Sequence, residues 1–120
     1  MSASPQINNR EDKCREMVLV AKGILNGDIG IIAGARQLSR LRFHSRTEKD
    51  SDILFFVGID SETDDLPLGD VRRHWNPEAL MIKDEELRRY ESRLKEQAFR
   101  ACHGLIARYD LASNAPPDSN

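Results

Sequence analysis

The C-terminal part of the chain decides the fold, because it carries one long helical pattern. Residues 76–109 read NPEALMIKDEELRRYESRLKEQAFRACHGLIARY. Asn76 is a good helix cap, Pro77 suits the first helical position and Glu78 places an acid in the first turn. Apolar residues follow at spacings of three and four: Leu87, Tyr90, Leu94, Ala98, Ala101 and Leu105. We predict a helix of about 30 residues, either continuous or broken near Lys83-Asp84, where a second start signal occurs.

Two shorter helices are predicted upstream. The first is capped by Asn9 and ends at the stop pair Asn26-Gly27, with an apolar stripe of Cys14, Met17, Val18, Ala21, Ile24 and Leu25. Asp28 is the predicted cap of the second helix, whose apolar face consists of Ile31, Ala35, Leu38 and Leu41. The short connection between these helices favours an antiparallel pair.

The apolar run Ile53–Val57 is compatible with a buried strand or a buried helix. We favour a helix, because Ser51 and Asp52 are suitable caps and no second β-rich run is available to pair with a strand. A structured loop is expected from Gly58 to Trp75, where the helix at Asn76 begins.

Composition and length predict one all-α domain, a bundle of four or five helices with a long C-terminal helix. The chain has 120 residues, 39% hydrophobic and 32% charged, with a net charge of −2. We expect a disordered N-terminus over residues 1–8, the helical domain over 9–111 and a disordered tail over 112–120. Because no apolar signal segment or membrane-length run occurs, we expect a cytoplasmic protein with no membrane partner. Cys14 and Cys102 lie on apolar stripes and are expected to be buried free thiols.

Charge is segregated in the middle of the chain. Residues 29–47 contain no acid and include Arg36, Arg40, Arg42 and Arg46, whereas residues 48–65 contain seven acids and one base, Lys49. One interpretation is that the two regions pair across the bundle or remain solvated. The other is that an acidic segment, residues 60–65, docks onto a basic partner and steers the encounter electrostatically.

A second candidate segment precedes the long helix. An exposed Trp75 beside two arginines would have the composition of an interface hot spot. Alternatively, Trp75 packs at the helix entry while Arg72 and Arg73 pair with the acidic segment. The candidate partner-binding residues are therefore Asp60, Glu62, Asp64, Asp65, Arg72, Arg73 and Trp75.

Other classes of function have weaker signals. The acidic segment alternates like an EF-hand loop, but Asp65 stands where the turn needs Gly and Val71 where a bidentate Glu belongs, which leaves only loose binding of a divalent cation open. No catalytic motif or metal-ligand spacing occurs, so we expect no enzyme, cofactor or metal. Residues 34–41 resemble the first helix of a helix-turn-helix, but an acidic, phosphate-repelling segment follows, so nucleic acid is not an expected partner.

The sequence also carries a resemblance. Residues 56–69, FVGIDSETDDLPLG, taken with Arg72, Trp75 and Lys83-Asp84, resemble a group of small uncharacterised bacterial helical proteins. In general character, without a matching motif, the chain is also similar to immunity proteins, which neutralise a toxin by binding it. We therefore expect a non-enzymatic protein-binding module, most concretely an immunity or antitoxin-like inhibitor. The alternatives are a structural or regulatory homodimer that pairs through the long helix, and then a small enzyme.

Overall fold

The fold is all-α, as predicted, with a long C-terminal helix. The computed structural model describes residues 5–66 and 69–110. It contains α1 (Pro5–Asn26), α2 (Ile31–Leu41), α3 (Ser51–Glu62), a 3₁₀ helix (Gly69–His74) and α4 (Pro77–Tyr109). No strand occurs in the described ranges. Residues 1–4, Pro67 and the predicted tail from Ala112 lie outside these ranges.

Helix α4 is continuous across 33 residues. The Asn76 side chain accepts a hydrogen bond from the amide of Glu78 at 2.8 Å, as its cap signal predicts. No break occurs at Lys83-Asp84. At 1.5 Å per residue, α4 is about 50 Å long in a molecule whose longest dimension is 58 Å. Its buried residues all lie in the C-terminal half: Ala98, Ala101, Cys102 and Leu105.

The core forms where the other three helices meet that part of α4. Its largest side chains, each fully buried, are Met17 and Ile24 of α1, Ile32 and Leu38 of α2, Ile53 and Phe56 of α3, and Leu105 of α4. Cys14 and Cys102 are buried and unpaired, in agreement with the prediction. Helix α2 packs mainly on α3, whereas α1 packs mainly on α4. The predicted apolar stripes therefore face a common interior.

The ends of the first two helices differ in part from the prediction. Helix α1 begins at Pro5, so the predicted cap Asn9 lies inside it; proline is tolerated in the first turn because it has no amide hydrogen to satisfy there. The stop at Gly27 is confirmed, since its φ of 84° suits glycine. Gly30, rather than Asp28, occupies the cap position of α2 and offers no side chain.

The missing cap of α2 is replaced by a carboxylate from α4. Glu91 Oε2 accepts a hydrogen bond from the amide of Ile32 at 2.9 Å. A carboxylate at a helix start satisfies an unpaired amide and interacts favourably with the helix dipole. A Cβ on Gly30 would lie 3.3 Å from the same carboxylate oxygen, so this close approach uses the small size of glycine.

Ile53–Val57 is helical, which confirms the interpretation that we favoured. The cap is Asp50, one residue before the predicted caps, and its side chain accepts from the amides of Asp52 and Ile53 at 2.8 and 3.3 Å. The helix continues through Gly58 to Glu62, although a loop was predicted there. A mid-helix glycine costs only about 1 kcal/mol, and Ile59 in the following turn is buried.

Asp50 also joins the start of α3 to the end of α4. Its Oδ2 accepts from Tyr109 Oη at 2.6 Å and from Arg108 Nε at 3.1 Å, while Arg108 Nη2 lies 2.6 Å from Asp52 Oδ2. Burial raises the pKa of Asp50, but the hydrogen bonds from Tyr109, Arg108 and the two backbone amides outweigh burial and hold it below its usual value.

We expect Asp50→Asn to reduce the free energy of unfolding by about 1 kcal/mol at pH 7, because asparagine keeps the cap but loses the charge that faces the half-exposed Arg108. A depressed carboxyl pKa stabilises the fold above the unfolded value of about 3.9, and that contribution disappears as the pH falls through the folded pKa. The difference between wild type and variant in urea unfolding should therefore shrink below about pH 4. A difference that is constant from pH 7 to pH 2.5 would contradict this, and Asp64→Asn, at an exposed position, is the matched control.

Candidate partner-binding surface

Two of the predicted acids are presented on a fixed turn after α3. We call residues 63–66 the acidic turn. Thr63 and Leu66 are buried on either side of it, whereas Asp64 and Asp65 are exposed. Thr63 Oγ1 donates to the carbonyl of Ile59 at 2.6 Å, and the amide of Leu66 donates to the carbonyl of Thr63 at 3.0 Å. The turn is therefore held at both ends while its two carboxylates point to solvent.

Arg36 of α2 fastens this turn to the helix bundle. Its Nη2 donates to the carbonyls of Thr63 at 2.5 Å and Leu66 at 2.9 Å, and its Nε lies 3.7 Å from Asp60 Oδ1. This side chain is only 19% exposed. Sequence reasoning placed Arg36 in the acid-free region but did not identify its role; the only signal was that an acidic region follows. Pairing across the bundle, one of the two interpretations of the charge pattern, is present at Arg36 and Asp60.

Helix α4 contacts the other side of the acidic segment. Lys83 Nζ lies 3.4 Å from Asp65 Oδ2, and this hydrogen bond raises the pKa of Lys83. The Tyr90 hydroxyl donates to the Glu62 carboxylate. Burial, together with that carboxylate, raises the pKa of Tyr90 to about 12, so the tyrosine remains a neutral donor. Asp60, Glu62 and Asp65 therefore each have a partner within the fold. The Asp65 side chain nevertheless stays 64% exposed, against 32% for Asp60.

The second predicted segment, from Arg72 to Trp75, contacts α4 at Asp84, the residue that follows Lys83. Arg72, in the 3₁₀ helix, donates from Nη1 and Nη2 to the two carboxylate oxygens of Asp84 at 2.8 and 2.9 Å. These hydrogen bonds hold the pKa of Asp84 below its usual range. Pairing of Arg72 and Arg73 with the acidic segment was one of two interpretations of the sequence and stays a prediction; the two-point contact of Arg72 is with Asp84. Arg73 is exposed in the same 3₁₀ helix, and Trp75 is half-buried just before α4.

The two predicted segments therefore meet at one place on α4. Lys83 contacts the acidic turn and Asp84 contacts the 3₁₀ helix, which follows the turn after two residues. Exposed apolar side chains lie on the same elements: Val71 of the 3₁₀ helix is 52% exposed, and Met81 and Ile82 of α4 are 72% and 64% exposed. We call the acidic turn, residues 71–75 and residues 81–84 the docking surface.

The chemistry of the docking surface is that of charge recognition. Its polar groups include carboxylates, guanidinium groups, an ammonium group, an imidazole and an indole, several of them paired with one another. Within residues 5–66 and 69–110, no three His, Cys, Asp or Glu side chains come together in a group that could hold a metal ion. None of the described helices is long and apolar enough to span a membrane.

Comparison with known proteins adds no relative. No protein-family model matches the chain, and neither the curated proteins nor the solved structures gave a significant match. The resemblance of residues 56–69 to small bacterial helical proteins therefore stays a prediction.

We expect Arg36→Met to loosen the acidic turn while the bundle remains folded. Methionine keeps most of the apolar volume of the side chain but loses its two hydrogen bonds to backbone carbonyls. The turn is then held by Thr63, by Leu66 and by the exposed contact between Asp65 and Lys83. Amide hydrogen exchange of Leu66 should become about tenfold faster, which corresponds to a loss of about 1.4 kcal/mol in local opening. Arg40→Met, at an exposed position one turn further along α2, should leave that rate unchanged. Equal rates in both variants would mean that Arg36 does not hold the turn.

Proposed function

We propose that this protein is a non-enzymatic protein-binding module that recognises a basic partner through the docking surface. The observation that supports this most strongly is the acidic turn itself. Asp64 and Asp65 are exposed between two buried residues, and Arg36 holds the carbonyls of the turn. A pre-ordered turn loses little conformational entropy on binding, so more of its interaction free energy contributes to affinity.

The surroundings of the acidic turn suit a protein partner. Charged residues steer association and determine specificity, while apolar residues supply buried area. Met81 and Ile82 offer apolar area next to Lys83 and Asp84, and Arg73 and Trp75 are residue types enriched in binding hot spots. Such a contact requires neither a cofactor nor a metal ion.

Within this class, the specific role that we propose is inhibition of a basic partner, as in immunity proteins and antitoxins. A small helical protein can block a toxin by covering its cationic active or nucleic-acid-binding surface with carboxylates. The place of action that we propose is the bacterial cytoplasm, where such a target would be encountered.

We expect the double variant Asp64→Lys and Asp65→Lys to lose its partner. The tagged wild-type chain should capture one stoichiometric basic protein from the native host at about 0.1 M salt, and raising the salt should release it. Charge reversal places two cations against the basic partner, so capture should fall at least tenfold. Both positions are exposed, so the melting temperature should change little.

The matched control is the double reversal Asp28→Lys and Glu96→Lys, which changes the net charge equally at two exposed positions outside the docking surface. If both double variants lose the partner equally, only the total charge matters and the docking surface is not the interface. If neither variant loses it, the partner binds elsewhere.

The exposed apolar residues of α4 favour a second candidate function, a homodimer that pairs through the N-terminal half of this helix. Met81 and Ile82 lie in that half, which contains no fully buried residue. A dimer of this kind should show twice the monomer mass of 13.7 kDa in sedimentation equilibrium at about 0.1 mM, and Met81→Glu with Ile82→Glu should return it to monomer. A monomeric wild type would exclude this candidate.

A further inference from the structure

A separate cationic surface lies at the opposite end of α3 from the acidic turn. The last turn of α2 and the connection to α3 expose four residues with basic or titratable side chains and an aromatic ring, within ten positions of the chain: Arg40, Phe43, His44, Arg46 and Lys49. We call these residues the basic turn. Helix α3 has 12 residues and is therefore about 18 Å long, more than the Debye length of about 8 Å at physiological salt. The acidic turn consequently does not neutralise the basic turn.

The cations of the basic turn have no carboxylate partners within the described part of the chain, and this distinguishes them from most other cations of the protein. Lys22, Lys83 and Arg108 each lie within 3.4 Å of a carboxylate. No such pair forms at Arg40, Arg46 or Lys49. Of the nearest acids in sequence, Asp50 and Asp52 are paired with Arg108, and the half-buried Glu48 forms no ion pair within the described part of the chain. The basic turn therefore presents charges that are available to an anionic ligand.

Phe43 provides an exposed aromatic ring at the centre of these charges. Its side chain is 61% exposed, and the guanidinium carbon of Arg42 lies 4.4 Å from the ring centroid. Arg42 is itself anchored, because its Nη1 donates to the carbonyl and the hydroxyl of Ser39, both at 2.5 Å. Ring and guanidinium thus form a fixed stack with much of the ring accessible, an arrangement on which a nucleobase can stack.

The backbone at Arg46 shows that this arginine is costly to the fold. Its φ is 60°, in the left-handed region that favours glycine or asparagine. The neighbours on both sides, Ser45 and Thr47, are completely or almost completely buried, and their hydroxyls are hydrogen-bonded to each other at 2.8 Å. The strained conformation is therefore imposed by buried neighbours, and the Arg46 side chain projects outward. Unfavourable backbone conformations of this kind cluster at functional sites.

We propose that the basic turn binds single-stranded nucleic acid, with Arg40, Arg46 and Lys49 contacting phosphates and Phe43 stacking on a base. An exposed ring between unpaired cations favours this ligand over an acidic protein segment, whose carboxylates need no stacking partner. A single strand is favoured over a duplex because paired bases are not free to stack on a protein ring. Our expectation that nucleic acid is not a partner relied on the acids that follow in sequence. Of these, Asp50 and Asp52 are paired with Arg108 and Glu48 is half-buried, while the other four lie in the last turn of α3 or beyond it.

This binding is independent of the proposed docking surface and is tested on the isolated chain. Fluorescence anisotropy of a labelled 12-nucleotide single strand of mixed sequence, as DNA and as RNA, should give a Kd in the micromolar range at 50 mM salt. The Kd should rise steeply with salt, because phosphate contacts release counterions. Phe43→Ala should weaken binding about tenfold, with the salt dependence unchanged, since it removes stacking and no charge.

Arg46→Asn tests the phosphate contact without straining the backbone. It should weaken binding several-fold and lower the slope of log Kd against log salt by about one unit. Arg88→Ala is the control: it removes one charge from α4 about 30 Å along the helix from Arg108 and should leave the Kd within twofold. Circular dichroism establishes that each variant is folded.

Three results would overturn the proposal. The first is no binding at 50 mM salt. The second combines two observations: a polyglutamate peptide or a duplex of the same charge binds as tightly as the single strand, and Phe43→Ala does not change the affinity for the single strand. Together they would mean that the surface binds anions in general. The third is an equal loss of affinity in Arg46→Asn and Arg88→Ala, which would assign binding to total charge. The two proposals are separated by testing both sets of variants in both assays. The docking-surface variants should lose the captured partner and keep oligonucleotide binding, and the basic-turn variants should do the opposite.

Discussion

The structure depends on polar contacts that tie α4 to the beginnings of α2 and α3 and to the 3₁₀ helix. Glu91 supplies the carboxylate that α2 lacks at its start, Arg108 binds the cap residue of α3, and Asp84 holds Arg72 of the 3₁₀ helix. Glu91 and Arg108 each lie next to a residue of α4 that packs against the core, Tyr90 and Tyr109, whereas Asp84 lies nearer the start of the helix. Because α4 is one continuous helix, these contacts fix the relative positions of segments that would otherwise be joined only by turns. The docking surface is a direct consequence, since Lys83 and Asp84 bring the acidic turn and the 3₁₀ helix together.

The second organising feature is the separation of charge along α3. One end carries the basic turn, whose cations have no carboxylate partners in the described ranges, and the other carries the acidic turn, which Arg36 holds in place. A net charge of −2 conceals this arrangement completely. Surfaces of opposite sign about 18 Å apart act independently at physiological salt, so one small domain can present two chemically distinct faces. The two proposals therefore concern different partners and different residues.

Much of the fold was predictable because local signals and burial agree. The Asn76-Pro77-Glu78 start, the Gly27 stop and the apolar stripes of α1, α2 and α4 each depend on short-range geometry that spacing reveals. The predictions were wrong at helix ends whose position depends on tertiary contacts. Helix α3 passes through Gly58 because Ile59 is buried beyond it, and Gly30 caps α2 because Glu91, sixty-one residues later, provides the missing acceptor. No local pattern contains that information.

The candidate site was only partly predictable for the same reason. The residue types and their segregation identified Asp64, Asp65 and the region from Arg72 to Trp75, but not which partner each charge has. Nothing in the sequence distinguishes Arg36 from the other arginines of residues 29–47. Its role is visible only in the structure, where it donates to the carbonyls of Thr63 and Leu66. Likewise, the contact of Arg72 with Asp84 required the 3₁₀ helix to turn back onto α4.

The most direct test of the central claim, that a pre-ordered acidic turn is the centre of a protein-binding surface, is an amide hydrogen exchange footprint of the chain with its captured partner. We expect slower exchange in residues 63–66, 71–75 and 81–84 of the complex than in the free chain, with α1 unchanged. Protection confined to α1 or to the basic turn, with no change in residues 63–66, would contradict it.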